Sequence, residues 1–131
     1  MNWRFQAIRG AITVPENTAA AMEIAVNELL DALESQNQLE PDWIISATFS
    51  VTGDLDAIFP AAIARRRTSW DEIALLDVQH MEVKGSLPRC IRMLVHVHLP
   101  ELHPPIQHIY LREAQGLRPD WNIASLPLTS N

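Results

Sequence analysis

One cysteine, Cys90, stands alone among 131 residues, so no internal disulfide can form and a reducing compartment is expected. Metal-site signatures are missing too: there is no CxxC, no HExxH and no spaced carboxylate set. Neither a glycine-rich phosphate loop nor a G-x-S-x-G nucleophile elbow is present. Long apolar runs are absent. The longest, Trp43 to Val51, is broken by Ser46, Thr48 and Ser50 and is too short to span a bilayer. Residues Met1 to Gln6 hold no apolar stretch of the kind a secretory signal needs. Positive charge is also short. Ten Lys plus Arg against sixteen Asp plus Glu leave a formal charge of −6, which offers no footprint for a nucleic-acid backbone or an anionic membrane. These exclusions predict a soluble cytoplasmic protein of one domain, residues 1–131, with no metal, nucleic acid or membrane among its partners.

What is present is ordinary in amount and unusual in kind. Apolar residues at 47% and charged residues at 20% suit a folded globular chain rather than a disordered one. Lysine, however, occurs only at Lys84, and the other nine cations are arginines. Arginine presents a planar fork that grips a carboxylate through two hydrogen bonds and keeps its charge at any working pH. Two uses are open. The arginines can pair with the chain's own carboxylates, or a few can hold a small anion that the bulk negative charge would otherwise repel.

Residues 3 to 13 alternate as a first strand, with Trp3, Phe5 and Ala7 on one face and Gly10 as an interruption. Pro15, Asn17 and Thr18 mark a turn and a helix cap. From Ala19 to about Gln36, Met22, Ala25, Leu29, Leu30 and Leu33 recur at helical spacing, with Glu23, Asn27, Asp31 and Glu34 opposite. A second strand spans Trp43 to Thr52. Asp56 is placed to cap a short helix carrying Phe59 to Ile63, with Pro60 in its first turn and Arg65-Arg66-Arg67 at its end. Ile73 to Val78 reads as a strand, and Arg89 to Leu99 as the longest one. In that strand Ile91, Met93, Val95 and Val97 point one way, and Cys90, Arg92, Leu94, His96 and His98 the other. Ile106 to Leu111 is a last extended segment. The tail from about Gly116 has few packing candidates and is expected to be flexible. Strands and two helices in mixed order predict an α+β domain: a mixed β-sheet with two helices on one face.

Among residues able to do chemistry, His96-x-His98 with His103 and His108 suggests a metal, but nothing completes the set. Cys90, inside a strand among apolar neighbours, fits a small buried hydrophobe better than a nucleophile. Arg9 at a strand end, Arg92 within the longest strand and Tyr110, the only tyrosine, remain. A cation inside a strand suits a polar pocket.

Taken together, Arg9-Gly10-Ala11 with Thr13-Val14, Phe59-Pro60-Ala61, Gln79-x-Met81, Cys90-Ile91-Arg92, His108-x-Tyr110-Leu111 and Leu117-Arg118-Pro119-Asp120 keep one order and spacing across roughly residues 3 to 121. In this the chain resembles the AroH class of chorismate mutases.

The resemblance implies an isomerase that turns chorismate into prephenate by an intramolecular Claisen rearrangement, in phenylalanine and tyrosine biosynthesis. It implies no cofactor and no covalent intermediate. It further implies a homotrimer whose sheets form a pseudo-α/β-barrel, with active sites at subunit interfaces. On the matching positions, Arg92 would stand at the breaking ether oxygen, and Arg9 and Tyr110 would hold a substrate carboxylate. Phe59 and Arg65 would come from the adjacent subunit, with Ala61, Leu75 and Leu76 also lining the substrate. Leu117 and Arg118 would cover it.

Three positions depart from the family's pattern. His80 stands where a Glu is usual and Asp77 where a Cys is usual. Ala62 replaces a common basic residue. The expectation is that Asp77 supplies the missing carboxylate, oriented or stabilised by His80, so that both join Arg92 as catalytic groups. Three other readings remain: a catalytically weak chorismate-binding homologue, an imine deaminase of the Rid family, whose trimeric fold is similar, and a purely structural trimer.

Overall fold

The computed structural model describes residues 2–121. Seven elements follow in order. They are strand β1 (Trp3–Thr13), helix α1 (Ala19–Gln36), β2 (Ile44–Val51), α2 (Pro60–Arg65), β3 (Ala74–Gln79), β4 (Cys90–Pro100) and β5 (Ile109–Leu111). Short 3₁₀ turns occupy Pro41–Trp43, Arg112–Gly116 and Pro119–Trp121. The strands make one mixed sheet in the order β3-β2-β4-β1-β5. The β1–β4 and β2–β4 pairs are antiparallel, and β2–β3 and β1–β5 are parallel. This is the α+β arrangement that the pattern predicts.

Helix α1 forms as its spacing requires. Thr18 Oγ1 accepts the Ala21 N–H at 3.1 Å as the N-cap. Met22, Ala25, Val26, Leu29, Leu30 and Leu33 make its buried stripe. That stripe meets Ile8 and Ile12 of β1, Phe49 of β2, and Ile91, Met93, Val95 and Val97 of β4 in one core. Each Val, Leu, Ile, Met or Phe side chain among them contributes about 1.5–3 kcal/mol when buried. Helix α2 adds Ile63 and Ala64 to the same core, so both helices lie on one side of the sheet. Trp70, fully buried just after α2, donates its indole N–H to Glu34 at 2.7 Å. Arg67 binds Glu34, Asp31 and Asn27, which ties α1 to the end of α2. Arg67 therefore takes the ion-pair use. So does Arg112, on Glu28 at 2.8 Å.

Four expectations change. Gly10 does not interrupt β1, which runs through it; a Cβ there would meet Met93 Cε at 2.5 Å and the Ile109 carbonyl at 2.7 Å. The glycine is needed because β5 and Met93 press onto the strand, not because the strand ends. Asp56 does not cap α2. It is held by Asn17 through two hydrogen bonds, at 2.7 and 3.0 Å, and Phe59 takes the cap position. Trp43 belongs to a 3₁₀ turn, so β2 starts at Ile44. The last strand shortens to Ile109–Leu111 because side chains claim the preceding segment. Asn37 Oδ1 accepts the Gln107 N–H, and His108 Nδ1 accepts the Arg9 N–H. Of the tail, 117–121 is described, and 122–131 lies outside the described residues.

Among the described residues, no helix covers the sheet's other face. Phe5, Ala7, Arg9 and Ala11 of β1 lie opposite His98, His96, Leu94 and Arg92 of β4. Thr48 and Ser50 of β2, then Leu76 and Val78 of β3, continue this face. Much of it is apolar and uncovered, with Phe5 72% and Leu76 59% exposed.

Candidate active site

Arg92 can lie on the open face because its cross-strand neighbours are small: Ala11 on β1 and Ser50 on β2. Its Nε is buried with no hydrogen-bond partner among the described residues. Arg92 lies against the Cys90 thiol; burial raises that thiol's pKa more than the cation lowers it. Cys90 thus stays protonated, packed with Ala11, Tyr110 and Ala114 in a small second core that Leu87 and Leu117 edge.

His80 follows β3 on this same face. Its Nδ1 stands 3.3 Å from Ser50 Oγ, and its N–H continues the ladder to the Val51 carbonyl. Burial, and then Arg92, lower its pKa, so the imidazole is neutral at pH 7. Tyr110, only 6% exposed, stands on β5 beside Ala11. Burial raises its pKa while Arg9, Arg118 and Arg92 all pull it down, which puts three guanidiniums around one phenol. Arg9 is pinned through its backbone, since its N–H donates to His108 Nδ1 at 2.9 Å. A neutral His108 then carries its proton on Nε2. Arg118 grips Asp120 through two hydrogen bonds, at 3.1 and 2.8 Å. The structure thus gathers Arg92, His80, Arg9, Tyr110 and Arg118 on one face, with Leu117 beside them.

A second group lies elsewhere. Phe59, 70% exposed, opens α2, and Ala61 and Arg65 follow within that helix. Asp77 accepts the Ala61 N–H at 3.0 Å. A cavity of about 570 Å³ is lined by Leu55, Ile58, Phe59, Pro60, Asp77 and Val78. Leu75 packs toward the core and Leu76 points to the open face. These residues sit on α2 and on β3, the sheet's edge, two strands from Arg92. One chain does not bring the two groups together.

Asp77 and His80, expected to act together, do not meet within one subunit. Asp77 pairs with the buried Phe49 and turns to the helix side, whereas His80 meets Ser50 on the open side. Three residues apart on an extended chain means opposite faces, so within one subunit His80 does not orient Asp77. Burial raises the Asp77 pKa, against the lowering by Ala61 and Arg65.

Sequence reasoning missed Ser50, and for His108, present in the His108-x-Tyr110-Leu111 motif, it missed the hydrogen bond to Arg9, because cross-strand pairing supplies both roles. Two of the other histidines have partners away from this group. His98 stacks on Phe5 with centroids 4.7 Å apart, and His103 Nε2 lies 2.8 Å from the Asn37 carbonyl. Among the described residues, no three His, Cys, Asp or Glu side chains converge as metal ligands, and no helix is long and apolar enough to cross a membrane.

Comparison with known proteins identifies the family. The chain is similar to the chorismate mutase AroH of Thermus thermophilus, at 40% identity over 116 residues, covering 88% of this chain and 94% of the relative. It is similar also to the chorismate mutase AroH of Bacillus subtilis, at 33% identity over 126 residues, covering 96% and 95%. The solved chorismate mutase from Clostridium thermocellum superposes with a TM-score of 0.77 at 42% identity, covering 85% of this chain and 98% of that one. The family profile described as chorismate mutase type I matches residues 5–121, spanning both groups of site residues, and this chain belongs to that family.

Proposed function

We propose that this protein rearranges chorismate to prephenate at a site completed by two copies of the chain. The observation that carries the reading is the cationic group on the open sheet face. Arg92 offers a half-buried guanidinium whose buried Nε has no hydrogen-bond partner among the described residues, and Arg9, Tyr110 and Arg118 stand around it. Chorismate brings two carboxylates, a ring hydroxyl and an ether oxygen to meet them. In the rearrangement the ether C–O bond breaks while a C–C bond forms within the same molecule, so no atom enters or leaves. Bond breaking runs ahead, and negative charge grows on the ether oxygen.

Arg92 meets that growing charge. A preorganised donor at such a position is worth about 3–4 kcal/mol of barrier, because the charge it meets is small in the ground state. Arg9 and Tyr110 hold a carboxylate and keep the reacting carbons close, which removes an entropy cost from the chemical step. His80, neutral and tied to Ser50, gives the ring hydroxyl a hydrogen-bonding partner where a carboxylate is usual. Leu117 and Arg118 close one side.

The other wall comes from a neighbouring copy: Phe59, Ala61, Leu75, Leu76 and Arg65. Two features favour this. The α2 and β3 group is distant from Arg92 within one chain, and the open sheet face leaves Phe5, Leu76, Val78 and Leu94 exposed. Closed symmetric association buries such a face. We assign a homotrimer with the open faces turned inward as a pseudo-barrel and one site at each interface.

Mixing tests this directly. Arg92→Ala and Arg65→Ala, each nearly inactive alone, should regain activity when unfolded together and refolded as a mixture, because some interfaces then carry both arginines. Chorismate loss is followed in the ultraviolet, with prephenate identified after acid conversion to phenylpyruvate. Mixtures no more active than their components would sink the shared site. A wild-type chain that binds chorismate without turnover would leave a weak binding homologue.

A further inference from the structure

Helix α2 begins without a cap of its own. Its N-cap residue, Phe59, has no side-chain acceptor, and Pro60 at the next position has no N–H. The first backbone donor that needs a partner is therefore Ala61, and it donates to Asp77 Oδ1 at 3.0 Å. The Ala62 and Ile63 N–H groups donate to the Phe59 carbonyl within the first turn, so Ala61 is the donor that needs an acceptor from outside the helix. The partner comes from β3, the strand next to β2 at the sheet's edge among the described residues. Arg65, at the far end of α2, also lowers the Asp77 pKa. Asp77 thus engages the first turn through a hydrogen bond and the last residue through charge.

We propose that Asp77 is a positioning residue: from β3 it caps α2 and sets the placement of Phe59 and Arg65, the two side chains the helix offers to the neighbouring subunit's site. The proposal rests on the mutase reading for its kinetic consequence, but the cap itself does not. It assigns Asp77 a different task from the carboxylate expected to replace the one missing at His80. Asparagine keeps an oxygen acceptor at the same place without the charge; alanine keeps neither.

Asp77→Asn and Asp77→Ala are compared in hydrogen exchange and in steady-state kinetics. A cap predicts that exchange at the Ala61 amide rises at least tenfold in Asp77→Ala and less than threefold in Asp77→Asn. It predicts a KM for chorismate raised about tenfold or more in Asp77→Ala with kcat changed less, since Phe59 and Arg65 bind the substrate without touching the ether oxygen. Asparagine should rescue most of that loss. Two results overturn the proposal. Either Asp77→Asn lowers kcat as far as Asp77→Ala with the Ala61 amide still protected, which makes the charge itself catalytic, or Asp77→Ala leaves the Ala61 amide protected. If Asp77→Ala does not fold, the exchange and kinetics of Asp77→Asn decide alone. A chain without mutase activity leaves the exchange result standing and refutes the function separately.

Discussion

At the scale of single residues, charge placement decides what each group can do. Arg92 has a buried Nε without a partner among the described residues, so the fold gains little from keeping it charged. Arg92→Gln should therefore lower kcat by about 10²–10³ or more while leaving the urea midpoint unchanged or raised. A structural arginine would show the reverse, with a lost midpoint and a modest kinetic effect. The histidines give a second test. His80 and His108 both have pKa values lowered by burial first, and then by nearby arginines. Below pH 6.5 the unfolded chain then binds more protons than the folded one, so stability present above 6.5 is lost as pH falls through that range. Urea unfolding at pH 7.5 and 5.5 should show this loss, and His80→Gln with His108→Gln should flatten it. Proton NMR should place both titration midpoints below 6.5.

At the scale of elements, the small size of one residue sets where a strand can lie. Gly10 pairs with Ile109 of β5 and Met93 of β4, and a methyl group at Gly10 would sit 2.7 Å from the Ile109 carbonyl oxygen. Met93 is flexible and can move; the Ile109 carbonyl is backbone and moves only with its strand. Gly10→Ala should cost about 1–3 kcal/mol in urea unfolding. It should also raise KM, because β5 carries Tyr110 one residue from the clash. Unchanged KM with lost stability would mean that β5 stays in place. α1 was legible in the sequence because its stripe repeats locally and Thr18 caps it. The start of α2 was legible in Phe59-Pro60, but its capping acceptor was not, because that comes from Asp77, sixteen residues away on another strand.

At the scale of the molecule, the two faces of the sheet have different fates. One is covered by α1 and α2; the other exposes Phe5, Leu94, Leu76 and Val78 around the cationic group. If that face joins copies of the chain, Leu94→Glu should yield a smaller particle by light scattering and lose activity with it. An unchanged mass would reject this face as the interface. The family was legible in Arg9, Phe59, Arg92, Tyr110 and Leu117-Arg118, because those motifs keep their intervals over nearly the whole chain. The site's geometry was not, because its two halves lie on different elements and do not meet within one chain.

The sequence by itself determined the α+β class, the buried stripes of α1 and β4, and the family, since periodicity and motif spacing are local properties of the chain. Tertiary structure alone decided that Asp77 and His80 face opposite ways, that Ser50 and His108 serve His80 and Arg9, and that Gly10 lies inside a strand. Those facts depend on sheet register, where a shift of one residue reverses every side chain, and register is settled by packing across the whole molecule.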